Sequence, residues 1–380
     1  MTVSARMPES LASATGTITI DLGQIGANWK ALAAKVAPAA CGAVVKANAY
    51  GLGAERVMPA LMRAGCTTFF IATPDEAETA RKFAPTAEIY ALDGLVGNSA
   101  AVFARLGVKP VLSTLDDVVA WSALCRARGE KLSAALHIDT GLNRLGLPAR
   151  DVRHLAADPS IMTGIKLDLV MSHLASADNP RDPKNRDQLL AFETLSALFP
   201  GVPRSLAASD GLMLGPAYHF DLVRPGYALY GGQASQMAPA PVKSAVTVTA
   251  RILSVADVAP GETVGYSATW RAKRPSRIAT IAAGYADGIP RTASGPDGRP
   301  GGHVMITGHL APLVGRVSMD LITVDVTDLP EGAAMPGEFA KLVCDEISIE
   351  DAGFSAGTIG YEILTRLGPR FPRLYLDDPV

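Results

Sequence analysis

A lysine at the end of a short apolar run is the first residue of this sequence whose setting suggests chemistry. The stretch CGAVVKANAYGLG, residues 41–53, leads from apolar side chains into Lys46 and then breaks at Asn48, Tyr50 and two glycines. A desolvated amine in such a position is what covalent catalysis through a Schiff base requires. A lysine that reaches the surface along its aliphatic stem is an equally good interpretation of this stretch taken alone.

Further polar residues end other apolar runs: they are Asp139, Thr140, His173, Ser209 and Arg224. A hydroxyl from Ser209, together with closely approaching backbone N–H groups at Gly226, would suit a phosphate. Ordinary turn chemistry is the simpler interpretation of either segment alone. Phosphate sites after the last two strands are, however, a recurrent feature of (β/α)8 barrels. A phosphate site combined with a reactive amine indicates pyridoxal phosphate as the cofactor.

These residues meet only if the apolar runs are strands of one sheet. Helix-length segments such as PDEAETARKFA separate most of the runs, and this alternation predicts buried parallel strands. Eight such units over residues 17–243 predict a TIM-type (β/α)8 barrel, whose strand ends share one rim. An open doubly wound sheet remains the alternative, because the order of the strands in space is not given. The predicted strands are GAVVKA, TTFFIAT, EIYAL, KPVLS, SAALHIDT, LDLVMSHL, RSLAAS and FDLVRPGYALYG.

The character of the chain changes after the barrel. Residues 244–380 contain period-two runs such as AVTVTARILSV and LITVDVT, separated by turns rich in proline and glycine. This pattern predicts a mostly antiparallel β domain in which only TIGYEILTRLG is helical. At the other end, residues 1–16 lack a continuous apolar core, so we expect a disordered tail and not a signal peptide.

Composition limits the partners. The chain has 380 residues, 48% hydrophobic, and a formal net charge of −2 with interspersed signs. The chain has no long basic block of the kind that binds nucleic acid or a membrane surface. A small molecule is therefore the expected partner. The four cysteines, widely separated and without metal-ligand spacing, suit reduced thiols in a cytoplasm, and no metal site is expected.

The motifs of this chain resemble those of the alanine racemases, a fold-type III family of pyridoxal-phosphate enzymes. The resemblance extends from about Thr17 to Arg370 and implies a barrel followed by a β-rich domain. It also implies a head-to-tail homodimer in which the β domain of one subunit completes the active site of the other. The matching motifs are VVKANAYGLG, DTGLNRLG, SHLASAD, RPGYALYG, VGYSATW, AAGYADGIPR, VGRVSMDLITVDVTD and GTIGYEIL.

The resemblance implies a role for each matching residue. Arg224 faces the pyridine nitrogen of the cofactor and is oriented by His173. An arginine there donates a hydrogen bond but does not readily give up a proton, which weakens the ring as an electron sink and limits side reactions. The residues implied to bind the cofactor are Lys46, Tyr50, Arg144, His173, Ser209, Arg224, Gly226, Tyr227 and Tyr361.

The same resemblance implies a two-base reaction. Lys46 exchanges the proton of D-alanine, and Tyr266 of the partner subunit exchanges that of L-alanine on the opposite face. A free tyrosine has a pKa near ~10, so Tyr266 has to be activated by its surroundings. The substrate carboxylate is implied to meet Arg144 and the backbone of Met319, with Asp320 nearby. The product would serve peptidoglycan synthesis, or the reaction would serve alanine catabolism.

The chain departs from the family pattern at two positions. His137 stands where many relatives have a carbamylated lysine that steadies the arginine corresponding to Arg144. Histidine cannot be carbamylated in this way, so we expect a small anion such as chloride, or a nearby side chain, to take that place. Tyr227 stands where an aliphatic residue is common, which is tolerable if only its backbone N–H meets the phosphate.

Other functions remain open at this stage. A broader-specificity or serine racemase would differ mainly in pocket size, at Tyr361 and along the SMD loop. A fold-type III decarboxylase should carry a catalytic cysteine in an aromatic, glycine-rich setting, and Cys344 lacks that setting. A non-catalytic pyridoxal-phosphate carrier would be a lone barrel, which the long β domain contradicts.

Overall fold

The computed structural model describes residues 13–233, 235 and 237–377, and the chain divides into two compact units. One unit comprises Gly23–Lys243, which we call the barrel unit. The other combines the residues up to Leu22 with those from Ser244 onwards, and we call it the β unit. Residues 1–12 of the predicted tail lie outside the described part of the chain.

Parallel strands form the barrel unit. Seven of them make one sheet, and Leu222–Val223 closes it by pairing in parallel with Ala40–Cys41. On its other side the Arg224 N–H donates to the carbonyl of Ala207 at 2.9 Å. The predicted (β/α)8 barrel is therefore confirmed, and the open sheet is excluded. The barrel strands in order are Ala40–Cys41 with Ala43–Val44, Thr68–Ile71, Glu88–Ala91, Lys109–Leu112, Leu132–His137, Ile165–Met171, Arg204–Ser205 and Leu222–Val223.

Helices occupy most of the connections, as the alternating pattern predicts. Two of them begin with capping boxes, in which Thr73 pairs with Glu76 and Thr114 with Asp117, so that the first backbone N–H groups have acceptors. The α-helices of this region are Leu22–Val36, Ala54–Ala64, Pro74–Phe83, Ser99–Leu106, Leu115–Arg128, Ala149–Ala157 and Pro183–Ser196. Short 3-10 turns are Pro159–Met162, Asp210–Leu214, Pro216–Tyr218 and Tyr227–Tyr230.

The start of the barrel differs from the prediction. Residues 17–21, which we assigned to the barrel, belong to the strand Gly16–Asp21 of the β unit. This strand pairs antiparallel with Val246–Val258 and parallel with Arg373–Leu376. Its apolar residues are buried, as a strand pattern predicts, but the same pattern would suit either sheet. Only the long-range pairing assigns the strand.

The β unit is mostly antiparallel, in agreement with the prediction. Two helices, Ile349–Ser355 and Gly360–Thr365, interrupt its strands near the end. The first was not predicted, although Ser348 and Asp351 form a capping box that marks its start. The remaining strands are Thr263–Val264, Trp270–Arg271, Ser276–Ile281, His303–Ile306, His309–Pro312, Ile322–Asp325 and Phe339–Val343. Within the described ranges, every helix is too short or too polar to cross a bilayer.

Candidate active site

Lys46 lies just beyond the first barrel strand and begins a left-handed turn, Lys46–Tyr50. Ala47, Asn48 and Ala49 have φ values of 52°, 55° and 54°, a conformation that costs roughly 1–2 kcal/mol per residue with a Cβ. The surrounding structure must therefore hold the turn in place. The half-buried Lys46 thus stands at a strained position on the carboxyl-terminal rim of the barrel.

A carboxylate from the helix Pro74–Phe83 holds this turn. Glu76 Oε1 accepts the N–H of Ala47 at 2.6 Å, and Glu76 Oε2 accepts the N–H of Ala72 at 2.7 Å. On the other side, Asn48 Oδ1 accepts the N–H of Ala54 at 2.8 Å. Glu76 forms the capping box with Thr73, and its bond to Ala47 joins two segments that lie 29 residues apart.

An oxygen-binding cradle lies beside this turn, after the neighbouring eighth strand. Ser209 Oγ accepts the N–H groups of Gly226 at 3.0 Å and of Ala228 at 3.2 Å. A Cβ on Gly226 would overlap the Tyr50 hydroxyl and lie 3.1 Å from Val44 Cβ, so only glycine fits there. Two backbone donors, a hydroxyl and a phenol thus converge, which is the donor set a phosphate needs.

Tyr227 follows Gly226 and begins the 3-10 turn Tyr227–Tyr230. Its side chain is buried and packs so closely on Gly232 that a Cβ there would overlap the ring. The fold therefore accommodates a tyrosine where an aliphatic residue is common in the family.

Arg224 follows the eighth strand and is 2% exposed. Burial lowers the pKa of its guanidinium to about 9. Its Nη1 donates to Ser205 Oγ, and its Nη2 donates to the carbonyls of Ser172 at 2.7 Å and Leu206 at 3.4 Å. Among the residues described, no hydrogen bond joins Arg224 to His173, although the charge of Arg224 acts on the imidazole. Oxygen atoms of the neighbouring strands satisfy its donors instead.

Two neutral histidines lie beside these cations. Burial and then the charge of Arg224 lower the pKa of His137 to about 4, with Arg144 adding to the effect and Asp139 opposing it. Burial, Arg224, Arg144, His137 and Lys46 together lower the pKa of His173 to about 3. His137 Nδ1 lies 3.5 Å from Ser113 Oγ. The rim is therefore electropositive and suited to an anionic ligand.

Arg144 lies on a loop that Asp139 organises. Asp139 Oδ1 accepts the N–H groups of Gly141, Leu142 and Asn143 at 2.9–3.1 Å. In the part of the chain that the structure describes, the Arg144 side chain has no hydrogen-bonding or ionic partner. Its guanidinium is consequently available for an anion.

Gln188 ties two neighbouring strand ends together. This fully buried side chain donates to Thr140 Oγ1 at 3.2 Å and to the His173 carbonyl at 2.9 Å, and it accepts the Ala175 N–H at 2.8 Å. The sequence analysis did not single out Gln188 or Ser205. Nothing local distinguishes a helix glutamine or a strand serine, and only the tertiary contacts reveal them.

The remaining candidates lie in the β unit. Tyr266 is 71% exposed and begins a turn in which Gly265, Ser267 and Ala268 have positive φ. Met319 is 54% exposed. Tyr361 lies half-buried in the helix Gly360–Thr365.

The Met319 loop is held by backbone bonds and one arginine. The N–H groups of Tyr285 and Ala286 donate to the carbonyls of Ser318 and Met319, each at 3.0 Å. Arg370 bridges Asp287 at 3.1 Å and Asp320 at 2.5 Å. The loop therefore presents Met319 from a fixed position.

Cys344 is buried at 3% exposure, and burial raises the pKa of its thiol. Such a thiol is inert, which does not suit the catalytic cysteine of a decarboxylase. Over the described ranges, no group of three or more histidine, cysteine and acidic side chains could hold a metal ion.

Comparison with known proteins assigns both halves of the chain. Residues 20–234 match the alanine racemase N-terminal domain, and residues 245–375 match the alanine racemase C-terminal domain. An alanine racemase of Methylobacterium sp. strain 4-46 is 46% identical over 95% of this chain and 97% of its own length. A biosynthetic alanine racemase of Agrobacterium fabrum is 43% identical over 94% of this chain and 93% of its own length.

Solved structures agree with these relatives. The crystal structure of alanine racemase from Bartonella henselae, which contains covalently bound pyridoxal phosphate, superposes with a TM-score of 0.90. It is 39% identical in sequence, and the match covers 96% of this chain and all of that one. A biosynthetic alanine racemase from Pseudomonas aeruginosa gives a TM-score of 0.87 at 35% identity over 96% and 99% of the two chains. The chain therefore belongs to the alanine racemase family and is an isomerase of that class.

Proposed function

We propose that this chain interconverts L-alanine and D-alanine with pyridoxal phosphate as its cofactor. The observation that carries the proposal is the convergence of an amine, a buried guanidinium and an oxygen-binding cradle at one barrel rim. When bound, the cofactor withdraws electrons from the amino acid and makes its Cα–H acidic. All other steps belong to residues of the protein.

The rim residues would hold the cofactor at three places. Lys46 would bind it covalently through Nζ, and Arg224 would donate a hydrogen bond to the pyridine nitrogen. Ser209, Tyr50, Tyr361 and the backbone at Gly226 and Tyr227 would surround the phosphate. The close approach of Tyr50 to Gly226 and the two N–H groups that meet Ser209 Oγ support this assignment.

Two bases would serve opposite faces of the substrate Cα. Lys46 would take and return the proton of D-alanine, while Tyr266 of a second subunit would do the same for L-alanine. Separate groups are needed because inversion removes a proton from one face and delivers another to the opposite face. Tyr266 suits this role because its ring is held out to solvent, where another subunit could cover it.

A second copy of the chain would complete the site. We propose a head-to-tail homodimer in which the β unit of one subunit supplies Tyr266 and Met319 to the rim of the other. Both are large side chains that are more than half exposed.

The substrate carboxylate would meet Arg144 and the Met319 backbone, with Asp320 close by. Arg144 would also need an anion in place of the carbamate found in many relatives, because His137 is neutral at ordinary pH. We propose chloride or another small anion. Crystals grown with bromide test this: anomalous density beside Arg144 would support it, whereas neither an anion nor a carboxylate within reach of Arg144 would count against it.

The decisive experiment is racemisation in deuterated water. Purified protein saturated with pyridoxal phosphate is incubated with L-alanine, and the products are separated by chiral chromatography with mass detection. Deuterated D-alanine is the expected product. Unlabelled, unchanged L-alanine would overturn the proposal, and parallel incubations with serine and lysine would then identify a broader-specificity racemase or a decarboxylase.

We place the reaction in the cytoplasm, where it would supply D-alanine for peptidoglycan or serve alanine catabolism. The unpaired state of Cys41, Cys66, Cys125 and Cys344 suits a reducing compartment. Depletion of the protein in its host tests the role. Growth restored by added D-alanine is expected for the biosynthetic role, and a defect only on alanine as carbon source would indicate catabolism.

A further inference from the structure

Ser205 connects Arg224 to the strand that carries it. Its hydroxyl oxygen accepts from Arg224 Nη1 and donates to the Leu222 carbonyl at 2.5 Å. Ser205 is 0% exposed, so water cannot replace either contact without entering the barrel wall. Because the hydroxyl proton is committed to Leu222, the oxygen lone pairs are directed to the guanidinium.

The other contacts of Arg224 are all to the backbone. Nη2 donates to the carbonyls of Ser172 and Leu206, which belong to neighbouring segments of the rim. A guanidinium has five N–H groups. The two carbonyls and the Ser205 hydroxyl together accept from three of them. Two N–H groups therefore remain without a partner among the described residues, and one of them is free to donate to a ligand.

Ser205 is the one side chain in this set of acceptors. Backbone carbonyls persist in any point variant, whereas the hydroxyl does not. Arg224 is buried and forms no ion pair with an acidic side chain in the described ranges. Neutral oxygen acceptors alone therefore stabilise its charge and fix its position. Losing one acceptor leaves two points of attachment, both at Nη2, about which the guanidinium plane can turn.

We propose that Ser205 is a positioning residue, which fixes the guanidinium plane of Arg224 so that a free N–H is directed at the pyridine nitrogen of the cofactor. This inference rests on the proposed function. It adds Ser205 to the orientation by His173 that the family resemblance implies. Ser205 itself touches neither cofactor nor substrate in this scheme.

The test compares three variants with wild-type holoenzyme. Ser205→Ala removes the acceptor, and Ser205→Cys keeps the volume but offers only a weak one. Ser122→Ala is the matched control, because Ser122 is also 0% exposed. Its Oγ likewise accepts from an arginine, Arg126 Nη1 at 2.7 Å, and donates to the Thr163 carbonyl at 2.8 Å, but it lies on the helix Leu115–Arg128.

The readouts are the absorbance spectrum of the bound cofactor, its dissociation constant, and kcat and KM for alanine. For Ser205→Ala we expect a shifted long-wavelength band, cofactor binding weaker by about 10-fold, and kcat lowered more than KM is raised. Ser205→Cys should shift the same quantities less. Ser122→Ala should leave spectrum and binding unchanged, even if its melting temperature falls equally.

Two results would overturn the inference. One is a Ser205→Ala holoenzyme with the spectrum, cofactor affinity and kcat of the wild type. If that variant does not fold, the same wild-type values in Ser205→Cys would overturn it instead. Spectrum and affinity are measured before alanine is added. A wild type that binds the cofactor without racemising alanine would therefore refute the proposed function separately from the role of Ser205.

Discussion

The barrel rim and the exposed loops of the β unit present their candidate residues in opposite ways. Arg224 is 2% exposed and Ser209 5%, whereas Tyr266 is 71% and Met319 54% exposed. Arg224 and Ser209 are already desolvated and hydrogen-bonded, as a preorganised binding site requires. The loop residues are held by their backbone but have uncovered side chains, so they fit a role that is completed only when another surface covers them.

Both regions share one feature, which is left-handed backbone beside the candidate base. The residues Ala47 to Tyr50, directly after Lys46, all have positive φ. Tyr266 is flanked by Gly265, Ser267 and Ala268, which also have positive φ. Conformations of this kind persist only where the surroundings impose them, and they cluster at functional sites. Side-chain contacts from Glu76 and Asn48 impose the turn at Lys46. At Tyr266 a backbone bond from the Ala268 N–H to the Gly265 carbonyl, at 3.3 Å, closes the turn.

The largest effect is expected at the buried rim. Lys46→Ala should abolish covalent capture of pyridoxal phosphate and lower racemisation by about 10⁴-fold or more, because it removes both the attachment and one base. Borohydride reduction followed by mass spectrometry measures the capture. Lys35→Ala, an exposed lysine of the helix Leu22–Val36, is the control. A reducible cofactor adduct at the active site of the Lys46 variant would refute the assignment.

Tyr266→Phe probes the exposed region and should act asymmetrically. We expect proton removal from L-alanine to slow by about 10²–10⁴-fold, with a smaller loss from D-alanine and unchanged cofactor binding. Deuterium exchange at Cα, followed from each enantiomer separately, makes the comparison. Equal losses in both directions would contradict the division of labour between the two bases, once rate-limiting release has been excluded by single-turnover measurement.

Glu76→Ala tests whether the strained turn needs its side-chain support. Both oxygens accept backbone N–H groups, and losing contacts of this kind costs about 1–3 kcal/mol each. We expect kcat/KM to fall by about 10–100-fold, and Glu76→Gln, which keeps one acceptor oxygen, to lie between. Glu78→Ala, an exposed residue of the same helix paired with Arg105, should have little effect. Wild-type kcat/KM in both Glu76 variants, as in Glu78→Ala, would exclude a role for Glu76.

Gly284→Ala tests the corresponding support in the β unit. A Cβ there would overlap the Met319 carbonyl oxygen and lie 2.5 Å from that of Ser318, and both neighbours are backbone atoms. The loop must shift, so we expect KM for alanine to rise by about 10-fold with kcat changed less. Gly26→Ala, where a Cβ would meet Ala64 Cβ at 3.4 Å, is the control. An unchanged KM in Gly284→Ala would show that the Met319 loop does not contribute to substrate binding.

The smallest effect is expected from the pH dependence of stability. The pKa of His137 is lowered to about 4 in the fold, from near 6.5 in the unfolded chain. The folded state therefore binds fewer protons, and this contribution is present above about pH 6.5 and is lost as the pH falls towards 4. His137→Asn should lose less stability between pH 7.5 and pH 5 than the wild type, measured by urea unfolding. His309→Asn, an exposed histidine, should keep the wild-type dependence, and an unaltered slope in His137→Asn would contradict the burial argument.

Local pattern predicted the barrel well, for a physical reason. A strand buried on both faces has to be apolar, and its polar terminus has to lie at an end, so Lys46, His173 and Arg224 were recognisable without coordinates. The helix Ile349–Ser355 was missed although its capping box was present, because a short helix inside a β-rich region gives little periodicity.

Contacts between segments far apart along the chain could not be predicted from the sequence. The acceptors of Arg224 come from strands far apart along the chain, and Glu76 meets Ala47 across 29 residues. The family resemblance named His173 as the partner of Arg224, yet the oxygen atoms that reach it belong to other residues. The choice of oxygen atoms that accept hydrogen bonds from Arg224 depends on interatomic distances, which the local sequence pattern does not contain.

The sequence by itself determined the alternation of strands and helices, the residues at the strand ends and the membership of a family, because each depends on the chemical nature of a residue and its neighbours along the chain. The tertiary structure decided which sheet receives Gly16–Asp21, which oxygens hold Arg224 and Ala47, and which candidates are buried or exposed. These depend on distances across the fold, where hydrogen bonding and desolvation act irrespective of separation along the chain.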